Sequence, residues 1–343
     1  MHMADALVSP TVGGALWAVS GSLMAYCARR LGGPGQERKV PTMGVLGAFV
    51  FAAQMINFAI PGTGSSGHLG GGMLLAILLG PHAAFLTMAS LLTVQALLFA
   101  DGGLLALGCN VFNLAFFTSF LAYPLVYRRI VRDRPTPGRI LAGSLASAVF
   151  ALQLGSAGVV LETAASGVTA LPAGAFLLLM QPIHLAIGVV EGLVTAAVVN
   201  FVWRAAPELL LEDRGAGAAA PRRGRRVLAV LTVGAALTVG GLSWFASTRP
   251  DGLEWAVGKV LGGSAPAAIR TPFHTLFARL QERTALMPDY ALPTRGAPAE
   301  QRAAKPAASA QTEVETSLAG FVGGLLTLAL AAGVGFALRL RRG

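Results

Sequence analysis

The feature that most constrains this chain is a recurrence of apolar stretches close to the thickness of a lipid bilayer. Crossing hydrocarbon takes roughly 20 apolar residues wound as a helix, and helical spans are predicted near 7–28, 43–60, 70–80, 82–100, 104–127, 140–161, 174–203, 227–247 and 317–338. Of the 343 residues 54% are hydrophobic and 12% charged, about half the usual charged share of a globular protein. A single core cannot absorb that much apolar surface, so a bilayer must. The predicted fold is all-α: a polytopic transmembrane bundle of about seven helices, then a C-terminal two-helix membrane hairpin.

The formal charge of +10 raises the question of a nucleic-acid partner, and the placement of the cations excludes it. Arg29, Arg30, Arg38 and Lys39 follow the first span; Arg128, Arg129, Arg132, Arg134 and Arg139 separate the fifth from the sixth; Arg204, Arg214, Arg222, Arg223, Arg225 and Arg226 follow the seventh. Arg339, Arg341 and Arg342 end the chain, and the loops 61–69, 101–103 and 162–173 contain no Lys or Arg. Lys and Arg mark cytoplasmic loops. The expected orientation is an extracytoplasmic N-terminus and a cytoplasmic C-terminus, in a multi-pass protein of a bacterial inner membrane with lipid as its surroundings.

Two modules are expected. Residues 1–203 read as a compact Gly-rich and Ala-rich membrane domain, with Gly13, Gly14, Gly21, Gly44 and Gly47 allowing helices to approach closely. Residues 204–226 read as a polar cytoplasmic linker, and 227–343 as two spans enclosing an extracytoplasmic segment whose part 285–311 is expected to be poorly ordered. Cys27 and Cys109 stand alone in apolar helices and read as buried small hydrophobes.

The candidate chemistry begins at the first two residues. A free amine on Met1, the amide nitrogen of His2 and the His2 imidazole close fused chelate rings around one metal, three nitrogen donors almost in a plane. Such ligation favours nickel(II) or copper(II). No basic region or Ala-x-Ala-like signal precedes the first span, and initiator methionine is removed before small residues rather than before histidine, so Met1 is expected to remain. A fourth donor is His68, at the end of the glycine-rich loop 61–69 on the same predicted face. Neutral imidazole and a deprotonated amine and amide are required, so affinity is expected to fall steeply below about pH 6.

Other polar residues divide between this site and the bundle. His184 and Glu191 share a helix face seven residues apart, Gln54, Asn57, Gln95, Asn110 and Asn113 either orient ligands or bridge helices, His82 belongs to the opposite membrane face, and His274 reads as a surface residue. Asp251 and Glu254 either attract cations or open a helix.

These residues carry a resemblance. Met-His-Met-Ala-Asp-Ala-Leu-Val-Ser-Pro at the start, Gln54-Met-Ile-Asn-Phe-Ala-Ile-Pro-Gly, Ser66-Gly-His-Leu-Gly-Gly-Gly, Leu79-Gly-Pro, Val94-Gln-Ala-Leu-Leu-Phe-Ala-Asp-Gly-Gly-Leu and the stretch from His184 to Gly192 resemble the CbiM/NikM family over roughly 1–203. These are the substrate-binding components of cobalt and nickel energy-coupling-factor transporters. The resemblance implies a square plane of nitrogens from Met1, His2 and His68 around the transported ion, no bound cofactor, and partners comprising a transmembrane coupling subunit and cytoplasmic ATPases. Two departures, His82 where the family often has Trp and Met3 where it often has Ile, leave the four donors intact. Pro250-Asp-Gly-Leu-Glu-Trp255 resembles the PDGLE motif of the associated accessory subunit, here fused to the first module.

The reading that follows is capture and import of nickel or cobalt, nickel slightly preferred on planar geometry, by a subunit with no ATPase site of its own. The stretch 252–260 has the wrong spacing for a phosphate loop. A rival from another class, an intramembrane metalloenzyme, needs His-Glu-x-x-His or clustered ligands on facing helices, which the sequence lacks. The alternative transporter is a proton-coupled carrier working through His184 and Glu191, which calls for an inverted repeat that is not visible.

Overall fold

A computed structural model of the chain describes residues 1–31, 39–132, 134–207, 222–263, 271–292 and 313–340. The elements are α1 (Pro10–Leu31), α2 (Lys39–Gln54), a two-stranded hairpin of β1 (Phe58–Ala59) and β2 (Ser66–Gly67), α3 (Gly72–Leu79), α4 (Pro81–Leu98), α5 (Leu107–Val131), α6 (Pro137–Ser166), α7 (Ala173–Ala205), α8 (Arg222–Gly240), α9 (Gly252–Val260), α10 (Pro272–Thr284) and α11 (Glu313–Leu340). Six helices among the described residues, α1, α4, α5, α6, α7 and α11, are long and apolar enough to cross a membrane. The fold is a polytopic helical bundle, as the sequence predicts.

The third predicted span is a half-helix. At 1.5 Å per residue, the 8 residues of α3 reach less than halfway through hydrocarbon. Gly80, at φ +78°, and Pro81 then break the chain before α4. The second span also ends sooner than the apolar run suggests, at Gln54 rather than 60. Residues 55–71 instead fold into the mouth of the bundle as the β1–β2 hairpin and an irregular return, with Ser65 and Ser66 fully buried. Irregular backbone inside a bundle requires that protein groups satisfy its amides and carbonyls.

Close helix contacts follow the glycines, though not all those expected. A Cβ at Gly188 would stand 2.9 Å from the Val149 Cα and one at Gly192 2.6 Å from the Leu145 Cα, so α6 and α7 pack backbone to backbone. Gly44 lets α2 approach the Leu328 carbonyl of α11, Gly47 faces the Thr87 and Thr327 methyls, and Gly13 seats Leu105 ahead of α5, whereas Gly14 and Gly21 face open space. Cys27 and Cys109 are buried thiols. Within α5, Phe112–Tyr127 is wound as a π-helix, which no apolar periodicity announces. Its wider turn stacks Phe112 on Phe116 at 4.6 Å.

The C-terminal hairpin, α8 and α11, packs on α2, and α11 also on α4. Between them the chain forms α9 and α10, two short helices at the mouth of the bundle. Asp251 caps α9 by accepting from the Glu254 amide at 2.7 Å, and Glu254 accepts in return from the Asp251 amide, a capping box. His274 of α10 is not a surface residue: it is 7% exposed and its Nε2 donates to the Val8 carbonyl at 2.9 Å. The expectation of poor order from 285 onward fails for 285–292, where Leu286 and Met287 donate to the Leu98 carbonyl and Asp289 to that of Phe99. The remainder, 293–311, lies outside the described residues, as does 208–221 of the linker.

Candidate metal centre

The N-terminal segment is threaded into the bundle mouth and pinned like a strand. Met3 donates its amide to Asn110 Oδ1 at 2.8 Å, and its carbonyl accepts from Asn110 Nδ2 at 3.2 Å and from the Gly103 amide at 2.8 Å. Two residues on, Asp5 Oδ1 accepts from the Ala106 amide at the start of α5 at 3.0 Å. Burial pushes the Asp5 carboxyl up, against the pull of the Ala106 and Leu105 amides. Met3 is fully buried and Met1 is 7% exposed. A chain terminus, normally frayed, is here a fixed element.

The loop carrying His68 is held as firmly. Gln54 Nε2 donates to the Gly70 carbonyl and Glu191 accepts from the Gly70 amide, each at 2.8 Å. The Glu191 carboxylate thereby sits at the N-terminus of α3, where the helix dipole favours negative charge. Gly71 has φ +74° and lies against Val50, a position closed to a side chain. His68 Nδ1 donates to the Leu69 carbonyl at 3.0 Å, so the neutral ring presents its Nε2 lone pair.

These two anchored segments bring the predicted donors together. The His2 and His68 rings lie 5.3 Å apart between centroids, with 12° between their planes. Two imidazoles on one ion at about 2 Å per bond would have centroids roughly 4.4 Å apart in adjacent positions and roughly 6.2 Å apart in opposite ones, and the observed separation falls between the two. Met1 N stands 3.6 Å from Asp251 Oδ2, and His2 Nδ1 stands 3.3 Å from Asp101 Oδ1. Two of the four predicted donors, the Met1 amine and His2 Nδ1, therefore each face a carboxylate. Among the described residues the side chains alone gather no group of three His, Cys, Asp or Glu suited to a metal.

Charge around the site follows from burial. Burial drives the His2 imidazole below its ordinary value despite the opposing pull of Asp101, and brings His68 down to about 4 with help from the terminal ammonium. Burial pushes the Asp251 carboxyl up, but the ammonium and the Glu254 amide outweigh it and hold it below the usual range. His2 Nε2 and Gln95 Oε1 are both buried without a hydrogen-bond partner, while Gln95 Nε2 donates to Gln54 Oε1 at 2.7 Å. Once Nδ1 carries a metal, Nε2 must carry the proton, and Gln95 is the neighbouring amide that interacts with this ring.

The C-terminal module closes the mouth. Ser66 donates its amide to the Pro250 carbonyl at 2.8 Å and its hydroxyl to that of Arg249 at 2.8 Å. From α10, Gln281 donates to the Ala96 and Gly102 carbonyls. Tyr290 stacks on Phe99 at 4.9 Å and donates to Asp101 Oδ2. What remains is a cavity of about 300 Å³ whose lining includes His2, His68, Gln95, Asp101, Asp251 and Tyr290.

Of the sequence candidates, Met1, His2 and His68 meet at this centre. Gln54, Gln95 and Asn110 support it, Asn113 instead donates to Glu162 Oε2 at 2.7 Å, and His82 lies elsewhere, among Tyr26 and Phe120. Sequence reasoning gave no role to Asp101 or Tyr290. The only signal was the Asp101-Gly-Gly turn.

Comparison with known proteins agrees with this architecture. Residues 2–209 match the model of the CbiM family, described as the cobalt uptake substrate-specific transmembrane region, and residues 225–340 match the PDGLE domain. The chain is 31% identical over 317 residues, 85% of its own length and 88% of the relative's, to the fused nickel transport protein NikMN of Rhodobacter capsulatus. It is 36% identical over 217 residues, 63% of its length and 70% of the relative's, to a putative fused nickel transport protein NikMN of Archaeoglobus fulgidus. A crystal structure of a truncated transition metal transporter superposes with a TM-score of 0.53 at 29% identity, over 60% of this chain and 99% of that one.

Proposed function

The chain belongs to the CbiM family and carries a PDGLE domain, and from that premise we propose that it is the substrate-capture subunit of an energy-coupling-factor transporter importing nickel(II) or cobalt(II), with nickel preferred. The carrying observation is that the His2 and His68 rings lie together while the Met1 amine and His2 Nδ1 each stand beside a carboxylate. The mouth faces outside the cell, and the basic loops and the C-terminus face the cytoplasm.

Capture is an exchange of partners. The ion enters past Asp101 and Asp251, displaces one proton from the terminal ammonium and one from the His2 amide, and takes both nitrogens together with His2 Nδ1 and His68 Nε2. A dipositive ion on an anionic amide leaves one net positive charge, which the two carboxylates outweigh without touching the metal, so the centre keeps the single negative charge it had before capture. Four nitrogens in a plane favour nickel over cobalt. A transmembrane coupling subunit and cytoplasmic ATPases supply the energy for inward release.

The test is metal content after exposure to equal nickel and cobalt, on the chain as it stands and on one extended by a single residue before Met1. Nickel in excess, and loss of metal on extension, are expected. Equal metal in both proteins would overturn the role of the amine, and a majority of cobalt would overturn the preference.

A further inference from the structure

A second, smaller cavity of about 20 Å³ lies beside the centre, with Met1, His68, Asp251, Leu114, Leu152 and His184 among its walls. A volume of that size admits about one water-sized sphere: a bare ion fits and a hydrated one does not. His184, from the middle of α7, is 1% exposed. Its Nδ1 lies 2.8 Å from the Met180 carbonyl. A carbonyl only accepts, so Nδ1 is the donor and the neutral ring bears its lone pair on Nε2. That Nε2 is buried with no hydrogen-bond partner.

His68 and His184 therefore have the same construction. Each spends its Nδ1–H on a backbone carbonyl, which fixes tautomer and ring orientation as the outer partners of metal-bound histidines do, and each is left with an available Nε2. The two face one small space whose remaining walls include the apolar Leu114, Leu152 and Ile187. An unsatisfied buried acceptor is costly, and a cation leaving the outer plane toward the bundle interior meets this one next.

We propose that His184 Nε2 is an inner ligand for the transported divalent ion, taking it over from His68 as it moves into the bundle. The inference rests on the outer centre proposed above and adds a station to it. Glu191, two turns further along α7, is engaged with the Gly70 amide and has no ligand role in this step.

The experiment uses the full chain with nickel ion as the probe and compares the unaltered protein with His68→Ala, His184→Gln and the double variant. Glutamine keeps a donor for the Met180 carbonyl, and thermal melting reports whether each variant folds. His68→Ala is expected to weaken nickel binding yet retain the ion with two imidazole ligands, counted by X-ray absorption, because the ion settles toward His184. Adding His184→Gln should remove one imidazole and weaken binding at least a further tenfold. If the double variant matches His68→Ala in both affinity and imidazole count, or if His68→Ala alone releases all nickel, the inner ligand is overturned. An affinity unchanged by His68→Ala would instead overturn the outer centre, a separate failure. Should His184→Gln not fold, His184→Asn carries the same comparison.

Discussion

His68, brought down to about 4 by burial and the nearby ammonium, decides how this site responds to acid. Free histidine takes a proton near pH 6.5, so between that value and about 4 the folded ring stays neutral and competes for no proton. His2 is lowered in the same direction, chiefly by burial. The protons that nickel must displace on acidification from pH 7 to 5 are then those of the amine and the amide. Log affinity should fall by about two units per pH unit, and a slope of three or more in a binding titration would return an imidazole to the balance. The metal-free fold should also lose stability as pH falls from about 6.5 toward 4, because the unfolded chain binds a proton at His68 that the folded one refuses. Asp251→Asn isolates the charge beside the amine. Asparagine caps a helix as well as aspartate, so melting should barely move, while nickel affinity drops about fivefold to tenfold, roughly 1–1.4 kcal/mol. At this scale the donors were legible because Met-His at a terminus has one chelating geometry. Asp101 was not, because its partner Tyr290 is 189 residues away and nothing local pairs them.

Among the elements, the half-helix α3 is the one whose start must be held rather than merely packed. Glu191→Gln keeps the shape but weakens the acceptor that holds the Gly70 amide at the α3 N-terminus. The loop of His68 should loosen, and nickel affinity should fall by about 1–2 kcal/mol, read by calorimetry, with helix content unchanged. Gly192→Ala forces a methyl against the Leu145 backbone, and overpacking of this kind costs about 1–3 kcal/mol, seen as a lower melting temperature in detergent. The spans were readable because hydrophobic runs record which segments a bilayer solvates. Their ends were not: 55–60 is as apolar as a span, yet it turns inward because Gln54 and Glu191 satisfy the backbone of the returning loop. The start of α9 was one of two readings of Asp251 and Glu254, whereas α10 was missed although Thr271 before Pro272 is a start signal. In a polar stretch expected outside the membrane, only the surface they land on turns such signals into a fixed structure.

For the whole molecule, the consequence lies in connectivity. Parts that line the cavity from the C-terminal module, within 249–254 and 289–290, belong to the same chain as the rest of it. A protein ending at 207 should still take up nickel but release it faster, which a chelator-chase measurement checks; an unchanged release rate would mean the cover does not retain the ion. Tethering turns the meeting of cover and site from a second-order encounter into a first-order one, with an effective concentration in the millimolar range for short flexible links. Closure is then indifferent to how densely the membrane is populated. The two parts also come in a ratio of one to one, set by translation rather than by the separate expression of two genes.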